Sequence, residues 1–184
     1  MKLLKVLVAV LLAGATTPQA YASVIPYPLS AFQVSNDNAD GTAVGINGGL
    51  SLLLTGGNNG TGLAGTTDFI ATALTPAIIE FQYTYNSLDS PGFDSAGYLI
   101  QGLFVQLTDT DGDSGSASFT VSAGDIFGFR VATLDNTQEP GVLMISEFAA
   151  NPVPEPATLP AVAAALAVAV WIRRKLRHHR EELP

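Results

Sequence analysis

In Ile79-Glu80-Phe81-Gln82-Tyr83-Thr84-Tyr85, apolar and polar residues alternate without a break. A period of two places every second side chain on one face of a strand, whereas a helix scatters the same pattern around its circumference. Ser116 to Val121 repeats it, with Ala117, Phe119 and Val121 expected to face inward. Further strand-like runs are Gly49–Thr55, Asp68–Leu74, Tyr98–Leu107, Ile126–Val131 and Gly141–Phe148. Between them lie Asn47-Gly48-Gly49, Gly56-Gly57-Asn58-Asn59-Gly60, Ser90-Pro91-Gly92, Asp111-Gly112-Asp113 and Ala123-Gly124-Asp125. Such segments supply the positive or fixed φ that turns demand. No stretch between residues 23 and 152 holds a helical apolar stripe. The pattern predicts an all-β domain, an antiparallel, jelly-roll-like β-sandwich of about seven or eight strands. Val121 to Phe129 reads as a hairpin, and Gly56 to Gly65 as the longest loop. Residues 23–29 read as an extended lead-in and residues 149–156 as a linker.

Both ends of the chain differ from this middle. Lys2 and Lys5 precede the apolar run Val6–Ala15, and Ala20-Tyr21-Ala22 follows. A basic start, a short apolar core and a small-x-small site make a signal peptide over residues 1–22, cut after Ala22, with Ala20 and Ala22 as the recognised residues. At the other end, Ala157–Ile172 is a run of sixteen residues without a charge. As a helix it is about 24 Å long, somewhat short of a hydrocarbon core of about 30 Å. Trp171 stands where an interfacial anchor would stand. Behind it, Arg173, Arg174, Lys175, Arg177 and Arg180 hold that end in the cytoplasm. One C-terminal transmembrane helix is therefore expected, with the sandwich on the opposite side. By these signals alone the segment serves equally as an ordinary single-span anchor.

Setting the two ends aside leaves a strongly acidic body. Seven of the eight Lys and Arg lie in the end segments, and thirteen of the sixteen Asp and Glu lie between them with Arg130 as the only cation, a net charge near -12. Such a field repels nucleic acid and anionic surfaces and favours solubility. The chain has no cysteine, and its histidines are His178 and His179. In an exported domain this removes a disulfide framework and leaves burial to hold the core. It also removes thiol, imidazole and amine catalysis from the body, so an enzyme is not expected.

Val153-Pro154-Glu155-Pro156 stands directly before the apolar run. The two prolines favour an extended, solvated backbone around Glu155, suited to a narrow processing cleft. A Pro-Glu-Pro motif, an apolar span and an Arg-rich end in that order resemble the PEP-CTERM sorting signal of exported proteins in Gram-negative bacteria. The tail from Leu176 to Pro184 is longer than is usual there. The resemblance implies recognition of residues 153–184 by exosortase, a membrane-embedded cysteine transpeptidase, after transient residence in the inner membrane. It implies a final place at the cell surface or outside, in contact with extracellular polysaccharide. Phe81–Tyr85, Phe93–Tyr98 and Gly124–Phe129 also resemble a sandwich module common in such proteins, over about residues 66–148.

The remaining chemistry is carboxylate chemistry. Asp109, Asp111 and Asp113 alternate along a turn, as oxygen ligands for calcium do. The loop is not an EF-hand, because Ser114 stands where the sixth-position glycine belongs and Thr120 where the bidentate glutamate belongs. A solvated acidic hairpin turn is the expectation and no cofactor is required, with calcium as the alternative. Asp89, Asp94 and Asp135-Asn136 form a second set, to be brought together only if their loops share one end of the sandwich. Otherwise they are ordinary turn residues. Glu80, Glu139 and Glu147 show no sign of the shielded pair a glycosidase needs.

Overall fold

The structure is a computed structural model that describes residues 27–153. The expected signal peptide and the Pro154–Pro184 segment, with the Pro-Glu-Pro residues, the expected span and the basic cluster, lie outside the described residues. Ten strands form two five-stranded sheets. They are β1 Gln33–Asp37, β2 Thr42–Ile46, β3 Ser51–Thr55, β4 Gly65–Thr72, β5 Ala77–Asn86, β6 Asp94–Ile100, β7 Leu103–Thr108, β8 Ser114–Val121, β9 Ile126–Thr133 and β10 Val142–Pro152. One sheet runs β1-β4-β9-β6-β7 and the other β2-β3-β10-β5-β8. Every pairing is antiparallel. Only the β2–β3 and β6–β7 connections stay within a sheet, and every other loop crosses between sheets. From β3 to β10 this is the double-sheet order of a jelly roll, with β1 and β2 added as an outer strand to each sheet.

The alternation of β5 is realised as read. Ile79, Phe81 and Tyr85 are buried and Tyr83 half-buried, while Glu80 and Gln82 are exposed. Tyr83 faces the edge strand β8, where its ring lies over Gly115. Phe119 and Val121 of β8 are buried and Ala117 partly so. The two sheets meet over an aromatic core. Phe127 packs edge-on to Tyr27, Phe32 and Phe119, and Phe129 packs edge-on to Phe81. Burial of this apolar area is the main stabilising term in a domain without disulfides.

Several expectations are corrected. Tyr98–Leu107 is two strands, because Gln101 and Gly102 adopt positive φ and turn the chain back between β6 and β7. Val121–Phe129 is an arch between sheets, since β8 pairs with β5 and β9 with β4 and β6. Its aromatics nevertheless fill the core. The Asp109–Asp113 loop likewise joins opposite sheets and is not a hairpin turn. Residues 149–152 are no linker, because β10 stays paired with β5 as far as Pro152. β1 and β2 carried no recognised pattern; β1 is exposed throughout and has no inward phase to read. In β10 the phase is reset by a bulge between Ser146 and Ala149, where Glu147 takes φ 50. That residue stays exposed, and Phe148 turns back against Phe32 and Phe129.

Candidate functional site

The register collects five loops at one end of the sandwich: residues 38–41, 56–64, 87–93, 109–113 and 134–141. With the strand ends beside them they carry nine of the thirteen carboxylates of the body: Asp37, Asp40, Asp89, Asp94, Asp109, Asp111, Asp113, Asp135 and Glu139. No cation lies among them. Arg130 points elsewhere, gripping Asp68 through Nε and Nη2 at 2.6 and 2.7 Å and lying 5.6 Å from the Phe104 ring centre.

The fold brings the two sets of aspartates to this same end, yet does not converge them. Asp111 Oδ1 accepts the Ser87 amide at 3.0 Å, tying the 109–113 loop to the 87–93 loop. Asp113 Oδ1 accepts the amide of Ser114, and Asp109 Oδ1 accepts the Thr110 hydroxyl. The three carboxylates thus serve separate local bonds. Among the described residues, no three His, Cys, Asp or Glu side chains are placed to share one ion.

Asp89 and Asp94 are different, because both are buried. Asp94 Oδ2 accepts the Ser87 hydroxyl at 3.0 Å. Asp89 Oδ1 accepts the Ser90 amide at 2.6 Å, and its Oδ2 has no partner. The Tyr85 hydroxyl is likewise fully buried, beside Asp94 and Ser87. Burial pushes the Tyr85 phenol well above its usual range, and the Asp94 charge adds to the effect. Burial likewise raises Asp94; hydrogen bonds from Thr133, Ser87 and the Gly141 amide oppose it, and the Asp89 charge adds to it.

A carboxylate raised in the folded state binds its proton more tightly there than in the unfolded chain. Its contribution is therefore favourable at low pH and is lost as pH rises from the ordinary 3.8 through the elevated value. Asp94→Asn keeps an acceptor for Ser87 and removes the titration. Melting temperature followed against pH should fall less steeply above pH 3.8 in that variant than in the parent. Parallel curves would show that Asp94 is not the group responsible.

Asn136 does the structural work of the second set, and its role is not visible in the sequence. It is fully buried, and its Nδ2 donates to the Asn38 carbonyl at 2.7 Å and the Leu63 carbonyl at 2.8 Å. Its own carbonyl accepts the Gly60 amide at 2.7 Å. The 56–64 loop is thereby pinned to the β1–β2 turn. Gly57 allows the approach, since a β-carbon there would stand 2.2 Å from Asn136 Oδ1. Asp135 turns on its own backbone, accepting the Thr137 amide at 3.0 Å.

Of the aromatics near this end, Phe93 in the 87–93 loop is 40% exposed. Tyr98 stacks on Phe119 at 4.7 Å, and Tyr85 is enclosed. Glu80 and Glu147 are exposed and bonded to Asn151 and Gln82.

No protein-family model matches the chain, and no curated protein matches it. Among solved structures it is similar to the secreted serine protease VesC from Vibrio cholerae, at 12% identity and a TM-score of 0.43. That match covers 71% of this chain and spans only 28% of the protease. It is also similar to a family 35 carbohydrate-binding module from Clostridium thermocellum, at 12% identity and TM-score 0.37, covering 67% of this chain and 98% of that one. A family 35 module from Cellvibrio japonicus gives 11% identity and TM-score 0.36, with 73% and 92% covered.

Proposed function

We propose that the chain is an exported, exosortase-processed surface or matrix protein with a structural or interaction role in an extracellular polysaccharide layer. The observation that carries this reading is the C-terminal succession. Val153-Pro154-Glu155-Pro156, an uncharged sixteen-residue run and five basic residues stand in sorting order. The signal peptide delivers the chain across the inner membrane, and the apolar run holds it there while the motif is presented to exosortase. The nucleophilic cysteine belongs to that partner, as this chain has none. The sandwich itself performs no catalysis and contacts no nucleic acid. In cells with an active exosortase, the mature protein should begin at Ser23 and lack Arg173 to Arg180. N-terminal sequencing and intact mass check both points, and a product retaining either segment defeats the reading.

A second reading, an anchored carbohydrate- or calcium-binding module, draws on one observation: the unpartnered Asp89 Oδ2 among nine carboxylates. Calcium bound to the native state adds stability as RT ln(1 + [L]/Kd). On this reading, millimolar calcium raises the melting temperature more than equal magnesium, and Asp89→Asn removes the difference. Asp89→Asn keeps the Oδ1 acceptor of the Ser90 amide, and the calcium increments are the quantities to compare. Equal effects of the two ions, unchanged in the variant, leave the structural reading alone.

A further inference from the structure

The end of the sandwich opposite the acidic loops has its own character. Both ends of the described chain are there. Val153 donates its amide to the Pro76 carbonyl at 3.2 Å, and the Tyr27 hydroxyl accepts the Leu74 amide at 2.9 Å. The loops of this end are joined by backbone bonds: Ala73 donates to the Asp125 carbonyl, Gly124 to Ala73, and Gln101 to Ile126. From these loops and the adjoining strand starts, Leu50, Leu74, Leu103 and Ile126 are exposed by 77, 73, 68 and 50%. Asp125 is the only carboxylate in the loops here. It is engaged by the Ser122 amide at 2.8 Å and by Gln101 Nε2 at 2.7 Å. Exposed leucines occur at the acidic end too, as at Leu88 and Leu134, but there they stand among nine carboxylates.

Chain length then decides what this face meets. β10 stays paired to Pro152, so only the residues from Val153 onward separate the fold from the apolar run. From Val153 to Ala157, where the apolar run begins, is four residues, at most about 14 Å of extended chain. We propose that this apolar, nearly uncharged end docks on the lipid surface while the C-terminal run is in the membrane, with Leu74, Leu103 and Ile126 entering the interface. The acidic end is thereby kept toward solvent, where an anionic bilayer repels it least. Burying such side chains at the headgroup boundary is favourable in proportion to their apolar area. The inference rests on the sorting reading above, which supplies the span.

The cysteine-free sequence and its single tryptophan, Trp171, make a direct test. The full chain, reconstituted in phosphatidylcholine–phosphatidylglycerol vesicles containing spin-labelled lipid, is labelled with an environment-sensitive dye at Leu74→Cys or Ile126→Cys. Leu88→Cys and Leu134→Cys serve as controls at the acidic end. All four sites are exposed, so the labels leave the core intact. Loss of dye emission at 74 and 126 is expected, with none at 88 and 134. Trp171 reports separately on the span. If Trp171 is quenched but positions 74 and 126 are not, the docking inference falls and the sorting reading stands. If Trp171 itself escapes quenching, both fall. Quenching at 74 and 126 that appears only when exosortase is co-reconstituted overturns the lipid assignment and gives the face to the enzyme.

Discussion

Phe127→Ala should unfold the domain at denaturant concentrations far below those the parent withstands. The ring is fully buried at the centre of the sandwich, with Tyr27 at 5.4 Å, Phe32 at 5.6 Å and Phe119 at 6.2 Å between ring centres. These partners come from the lead-in before β1 and from β8 in the opposite sheet, so one ring joins segments that share no backbone ladder with each other. Its loss removes the transfer energy of the ring and leaves a cavity that a close-packed core only partly closes, costing about 3–5 kcal/mol. Domains of this size are stable by about 5–15 kcal/mol, so the variant stands near the threshold of folding. Neighbouring Ile126 provides the contrast, being half-exposed. Ile126→Ser should shift stability by no more than about 0.5 kcal/mol. Urea unfolding of both variants measures the difference, and equal midpoints would contradict the assignment of Phe127 to the core.

Asn136→Ala should also destabilise the domain, by a different route. The substitution removes no large apolar surface. It leaves the Leu63 carbonyl with only Asn38 Nδ2, at 3.4 Å, and the Asn38 carbonyl with only Asn59 Nδ2, at 3.1 Å. Both carbonyls belong to exposed residues and keep a second donor, so each lost bond costs about 0.5–1.5 kcal/mol and a loss of about 1–3 kcal/mol is expected. Asn136→Asp distinguishes hydrogen bonding from simple shape. It keeps the volume, deletes both donors and places a charge in a fully buried position beside an already acidic end. It should destabilise at least as much as alanine at neutral pH and recover part of the loss in acid, where the carboxyl is neutral. A fully stable Asn136→Asp domain at neutral pH would mean that the 56–64 loop is held by other bonds.

Strand identity was legible wherever one face is buried. The β5 sequence announces itself because Ile79, Phe81 and Tyr85 are buried and Tyr83 half-buried, with Glu80 and Gln82 exposed between them. β1, exposed along its whole length, had nothing to announce. The split between β6 and β7 was hidden because Gln101, a residue without turn preference, takes φ 52 beside Gly102. Pairing partners were not legible at all. Val121-Ser122-Ala123-Gly124-Asp125 has the composition of a hairpin turn, but β8 pairs with β5 and β9 with β4 and β6, in different sheets.

The sequence by itself determined the class of fold, the acidic charge of the body, its lack of cysteine and histidine, and the two end segments that carry the sorting reading. Those properties follow from local periodicity and from counts, which need no knowledge of what lies beside what. Only the tertiary structure decided that nine carboxylates share one end, that Asp89 and Asp94 are buried while Asp109, Asp111 and Asp113 diverge, and that Asn136 pins a loop begun some eighty residues earlier. These are consequences of strand register across two sheets. Register is set by the sum of many non-local contacts, each too weak to mark the residues that make it.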